Sequence, residues 1–273
     1  MKRLATLAAL VVVAGAVLFA GSVSAIRFGE SDANRHPYVG LVGFYDAGWN
    51  WMWRCTGTLV SPTVVLTAGH CAGVDETGAA PAHARIWFDQ GPIVPYGPTG
   101  YPDSGGYTGT PHAHPGWDGL LTIPDTHDIG VVVLDEPLQM PEYGKLAPKG
   151  YLDDLAKRRG LKNVDFTVVG YGLQSVKPTE VGIRERMLAT VSLINLRSHL
   201  TDGFNLQYSG DPGQGNGPGG TCFGDSGGPV FSGDKIVAVN SFVLNLNCQG
   251  PGFGHRTDIE QSLDFLANFG VQP

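Results

Sequence analysis

Ser226 stands in the run Gly224-Asp225-Ser226-Gly227-Gly228-Pro229. Glycines on either side leave its hydroxyl clear of neighbouring side chains and let the backbone come close to a bound group. Attack by such a hydroxyl on a carbonyl builds negative charge on oxygen, which backbone N–H groups in a tight turn can stabilise. The hydroxyl is a weak nucleophile until a base takes its proton. His70, in Thr67-Ala68-Gly69-His70-Cys71 at the end of an apolar run, is the histidine best placed to be that base. An imidazole base needs a carboxylate to fix its tautomer and stabilise its protonated form. Asp128 heads the apolar run Asp128–Leu134, which must be buried, so its carboxylate is desolvated. Asp118 and Asp125 sit among loop residues, and the cluster His112, His114 and His127 reads as loop surface.

These residues need a rigid frame. Strand-like runs separated by Gly, Pro, Asn and Asp are expected at 38–44, 51–60, 64–68, 84–88, 129–134, 166–170, 187–193, 230–231 and 236–242. Regular strands with turn signals between them point to an all-β sandwich or barrel. The stretch 91–126 is polar and rich in Gly and Pro, and reads as an extended loop with room for one strand. Residues 210–220 form a second glycine-rich loop directly before the serine run. One helix is expected near the end, capped by Asp258, with Ile259, Leu263, Leu266 and Phe269 on one apolar face. A seam between two β halves is expected near 141–149, giving units at 26–143 and 144–273.

Lys2 and Arg3 precede an apolar stretch that ends in Val23-Ser24-Ala25. That pattern predicts a secretory signal peptide over residues 1–25, cut after Ala25, and a secreted, extracellular product. Its removal takes the formal charge from −7 to −9. An acidic balance with no basic run argues against nucleic acid or an anionic membrane as partner. Forty glycines and nineteen prolines imply many turns and few long helices. Four cysteines in an exported chain predict two disulfides, in any of three pairings. Without a Cys-x-x-Cys pair, the cysteines and histidines do not read as a metal site. No cofactor motif is present, and a monomer is expected.

The three motifs, in the order His, Asp, Ser, resemble the chymotrypsin/trypsin-fold serine proteases of the secreted, trypsin-like type. That order differs from those of subtilisins and α/β-hydrolases. Weaker matches extend the resemblance over nearly all of the exported chain: His36-Pro37-Tyr38, His114-Pro115, Gly170-Tyr171-Gly172, Ser241-Phe242 and Pro251-Gly252. The resemblance implies two six-stranded antiparallel β-barrels packed together, with a C-terminal helix. It implies a secreted serine endopeptidase that cuts polypeptides through an acyl-enzyme and is open to protein inhibitors. Ser226 would be the nucleophile, His70 the base and Asp128 its orienting carboxylate. Gly224 and Ser226 would supply the oxyanion hole. Ser241 would support Asp128 and begin a substrate-pairing strand with Phe242 and Val243. The implied disulfides are Cys55–Cys71 and Cys222–Cys248. The alternative is a catalytically silent homologue that binds a partner through the same surface. Such a chain usually lacks a triad residue, and this one has all three.

The resemblance also places Gly220 and Thr221 at the base of the specificity pocket, with Val243 and Gly252 in its walls. Without an aspartate at the base, a buried cation would lack a partner. Neutral, small to medium apolar side chains are expected before the cut, unless Asp202, Asp211 or Asp234 reaches in from a loop. Asp225 would pair with a newly released N-terminal ammonium, and signal cleavage would itself expose Ile26 as that terminus. Arg27 and Phe28 depart from the small or apolar residues usual there.

Overall fold

The computed structural model describes residues 26–93, 104–157, 164–210 and 219–273. The expected signal peptide, Asp211 and parts of the two long loops lie outside the described residues. The strands in chain order are β1 (Glu30–Ser31), β2 (Val39–Tyr45), β3 (Trp51–Ser61), β4 (Val64–Thr67), β5 (His83–Trp87), β6 (Tyr107–Ala113) and β7 (Gly130–Leu134). They continue with β8 (Lys145–Leu146), β9 (Asp165–Gly170), β10 (Met187–Asn195), β11 (Asn205–Tyr208), β12 (Pro229–Ser232), β13 (Lys235–Val243) and β14 (Gly252–Arg256). The helices are α1 (Gly69–Ala72), α2 (Tyr151–Ala156) and α3 (Glu260–Ala267).

Strands β2-β3-β4-β7-β6-β5 close into one antiparallel barrel. Strands β10-β11-β14-β13-β12-β9 form a second, closed by the β9–β10 pairing. Closure leaves neither barrel a bare edge along the ring. Val42, Phe44, Leu59, Leu66, Ile86 and Val132 fill the first core; Phe166, Val191, Leu206, Val230 and Val237 fill the second. Each of the nine expected runs lies on a strand, with ends moved by one or two residues. Five strands lie outside those runs: the two-residue β1 and β8, β6 in the stretch with room for one strand, and β11 and β14. β6 carries Pro111 and two threonines, β11 has four residues, and β14 begins Gly-Phe-Gly, so none of these three shows apolar alternation.

The chain ends cross between the two halves. β1 pairs with β10 of the second sheet, so the N-terminal unit expected at 26–143 lends that sheet a strand. Helix α3 buries Phe265 and Leu266 against the first barrel's core. Asp258 does not cap α3. Its buried carboxylate accepts from Arg256 at 2.8 and 2.9 Å and from the Leu152 N–H, at the start of α2, at 2.7 Å. A buried guanidinium and an orphan helix N–H are stronger claims on a carboxylate than the terminus of α3.

Arg186 ties the barrels together. It is fully buried just before β10, and its Nε donates to Asp32 Oδ2 at 2.9 Å. Its remaining nitrogens donate to the carbonyls of Val39 and Phe88 in the first barrel and to Asn34 Oδ1. Asp32 also accepts from the His36 backbone and meets its ring at 2.5 Å. A buried charge pair holds only when its lone pairs and protons are used up in this way.

Candidate active site

His70 lies in α1, one turn beyond the end of β4, and Asp128 lies two residues before β7, the neighbour of β4. Gly69 lets the two segments touch: a side chain there would begin 3.1 Å from Asp128 Cα. The His70 N–H donates to Asp128 Oδ1 at 2.7 Å, and His70 Nδ1 meets both carboxylate oxygens at 3.0 and 2.9 Å. Ser241 Oγ, from β13 of the other barrel, donates to Asp128 Oδ2. Asp128 is fully buried, while the His70 side chain keeps 27% exposure. Burial alone would raise the Asp128 carboxyl, but the His70 charge and these hydrogen bonds outweigh it and hold the group below its ordinary value. His70 moves the other way. Burial opposes its charge, and the Asp128 carboxylate still raises it above 6.5. The imidazole thus has one nitrogen fixed on a carboxylate, while the other has no hydrogen-bond partner among the described residues and the ring lines the cleft.

Ser226 and His70 line one cavity of about 230 Å³, together with Thr221, Phe223, Asn240, Ser241, Phe242, Val243 and Leu121. The serine turn is pinned from both barrels. Thr56 on β3 donates its N–H to the Ser226 carbonyl and its hydroxyl to the Gly224 carbonyl, both at 2.8 Å. Asn240 on β13 accepts from the Gly227 N–H at 2.7 Å. Gly224 has φ +97°, a backbone state that disfavours any side chain. Among the described residues, neither the Gly224 N–H nor the Ser226 N–H donates to another protein group. Two donors without protein partners beside a nucleophilic hydroxyl can receive developing negative charge on a bound carbonyl.

Cys55–Cys71 and Cys222–Cys248 are joined as disulfides. The first anchors His70; the second braces the loop before Ser226. Asp225 is fully buried and accepts from the N–H groups of Gly172 and Cys222 at 2.8 and 2.9 Å. Burial pushes its carboxyl up to about 7, against the pull of those bonds and of the Arg54 charge. Ile26 is also fully buried, and the next residue, Arg27, pairs with Gly220 through the backbone. Of the expected pocket residues, Thr221, Ser241, Phe242 and Val243 line the cavity. Gly252 lies against the Tyr208 ring, and Gly220 packs on the Gly210 backbone. Asp234 pairs with Lys145 and Lys235 at the surface, and Asp202 borders a separate depression beside Arg256.

Several contributors were not singled out from the sequence. Thr56 sits in the middle of a strand and gives no sign that it holds a turn of another barrel. His255 is buried, with Nδ1 3.2 Å from Thr126 Oγ1 and Nε2 3.2 Å from Ser262 Oγ. Ser262 gives its proton to the Arg256 carbonyl, so His255 donates from Nε2 and accepts at Nδ1. Burial pushes His255 down to about 4, which keeps it neutral while it ties the segment before Asp128 to the second barrel. Asn240 had a readable sign, a carboxamide at the end of the apolar run Ile236–Val239.

A family model described as Trypsin matches residues 26–266. Among curated proteins, the thrombin-like enzyme flavoxobin of Protobothrops flavoviridis is 41% identical over 56 residues, 20% of this chain and 20% of that protein. The match therefore spans about a fifth of the length of that relative. Among solved structures, HL collagenase superposes with a TM-score of 0.64 at 16% identity, covering 91% of this chain and all of that one. Human heparin binding protein gives 0.60 at 18% identity, covering 91% and 98%. At such identities the structural likeness is one of fold. The family match covers most of the sequence, and with two closed barrels and a His–Asp pair sharing a cavity with a half-buried serine, the chain belongs to the trypsin family.

Proposed function

We propose that this chain is a serine endopeptidase, exported after cleavage behind Ala25. The carrying observation is the buried Asp128 carboxylate, held by His70 and Ser241, in a site where His70 and Ser226 share one cavity. Ser226 Oγ attacks the scissile carbonyl carbon, and its proton passes to the unbonded His70 nitrogen. The resulting oxyanion is received by the N–H groups of Gly224 and Ser226. The C–N bond breaks, His70 returns the proton to the leaving amine, and an ester on Ser226 remains. Water then repeats the sequence, giving its proton to His70 and releasing the acid and Ser226. Backbone groups of Ser241–Val243 pair with an extended peptide as an added strand. The side chain before the cut is neutral and of small to medium size.

Cleavage before Ile26 would supply an ammonium to Asp225, the buried carboxylate that burial drives up to about 7 without one. Labelling by a fluorophosphonate probe tests the core of this reading. The purified protein is expected to label at Ser226, and Ser226→Ala to remain unlabelled. A folded wild type that does not label is a binding protein rather than a peptidase. N-terminal sequencing of active product tests the activation step; a start other than Ile26 removes it.

A further inference from the structure

Asn240 is 2% exposed and lines the cavity beside Ser226 and Thr221. A buried carboxamide must place both its oxygen and its nitrogen. Its Oδ1 accepts from the Tyr208 hydroxyl at 2.8 Å, and among the described residues its Nδ2 has no partner. Tyr208 is itself fully buried, which drives its phenol well above the usual range and keeps it protonated. That hydroxyl has one proton, and it goes to Asn240. The 3.0 Å contact between the Tyr208 and Thr221 hydroxyls therefore has Thr221 as donor. Thr221 is left with acceptor lone pairs, and Asn240 with two N–H donors. The two groups sit side by side on one tyrosine oxygen, which fixes their spacing and their opposite characters.

We propose that Asn240 and Thr221 select a carboxamide side chain, Gln or Asn, on the residue whose carbonyl Ser226 attacks. The carboxamide oxygen accepts from Asn240 Nδ2, and its NH2 donates to Thr221 Oγ1. Leucine or methionine, once seated, would displace water and leave both protein groups unpaired. Lysine or arginine would meet no anion, because among the described residues no Asp or Glu lines the cavity. A carboxylate would set a second oxygen against the Thr221 lone pairs and finds no lysine or arginine in the lining among the described residues. The Tyr208 ring, packed on Gly252, carries the hydroxyl that both groups share. The inference deepens the peptidase reading and rests on it.

The test is kcat/KM on one peptide scaffold with Gln, Asn, Glu, Met, Leu or Lys before the cut. The wild type is expected to favour Gln or Asn over Met by about tenfold to a hundredfold, the scale set by leaving a buried donor or acceptor unpaired. Asn240→Leu is expected to bring that ratio to one or reverse it. Tyr208→Phe, which frees the carboxamide to turn over, is expected to shrink it. The ratio is read within each variant, so a smaller yield of folded protein divides out. Equal or better cleavage after Met, Leu, Glu or Lys by the wild type overturns the assignment and leaves the peptidase reading standing. A wild type that neither labels at Ser226 nor cleaves any member of the series removes both.

Discussion

Ser241 on β13 of the second barrel hydrogen-bonds Asp128 of the first, on the carboxylate that also holds His70. The orienting group of the site is thus clamped from the barrel that carries Ser226. Loss of a hydrogen bond to a buried charged group is worth about 1.5–3 kcal/mol. Ser241→Ala is expected to lower kcat by about ten- to a hundredfold, with a smaller change in KM. Steady-state kinetics separate the two; an unchanged kcat would show that the clamp does not serve His70.

The proposed mechanism requires the neutral form of His70, since only that form can take a proton from Ser226. Asp128 raises the His70 value above 6.5, so the acid limb of kcat/KM is expected above pH 6.5. Asp128→Asn removes the charge that raises it, and any residual activity should show this limb at lower pH. His255, held near 4 by burial, adds no second limb in this range. A pH–rate profile of both proteins measures the displacement, and a limb below 6.5 in the wild type contradicts it.

Asp225 makes a stability prediction whose sign follows from its raised value. In a chain not cut before Ile26, the folded state keeps a proton on Asp225 up to about 7, while the unfolded chain releases it near 3.8. The folded state binds more protons in that interval, so stability falls as pH rises through it. Asp225→Asn is expected to flatten this part of the curve of Tm against pH, and cleavage before Ile26 to flatten it as well. Melting curves from pH 4 to 8 on the three forms check the slope.

Arg186 and Asp32 are both fully buried at the junction of the N-terminal segment and the two barrels. Breaking such a pair from one side leaves an uncompensated charge and costs about 3–5 kcal/mol. Arg186→Leu is expected to lose stability on that scale in urea unfolding. Arg186→Leu with Asp32→Leu should recover part of it. A double variant as unstable as the sum would show that the loss comes from packing rather than from the stranded carboxylate.

The candidate site residues were legible in the sequence because local context marks them. Ser226 sits between glycines, His70 ends an apolar strand beside a cysteine, and Asp128 begins another. The long strands were legible for a similar reason, since burial inside a barrel imposes runs of Val, Ile and Leu such as Ile236–Val239. Strand β6 was legible only as room for one strand within 91–126, because Pro111 and its threonines are accommodated by ladders to β5 and β7 that only the closed barrel supplies.

By itself the sequence determined the candidate reacting groups, the β character and an even cysteine count. It did not determine which distant groups share one hydrogen-bonding partner. Asp258 serves α2 and Arg256 instead of α3, Thr56 holds the turn of Ser226, and Tyr208 couples Thr221 to Asn240. A hydrogen bond satisfies a buried group wherever in the chain its partner lies, so such choices follow from which surfaces the folded barrels bring together. The tertiary structure therefore decided the polar character of the cavity, and the sequence decided that a serine would stand at its edge.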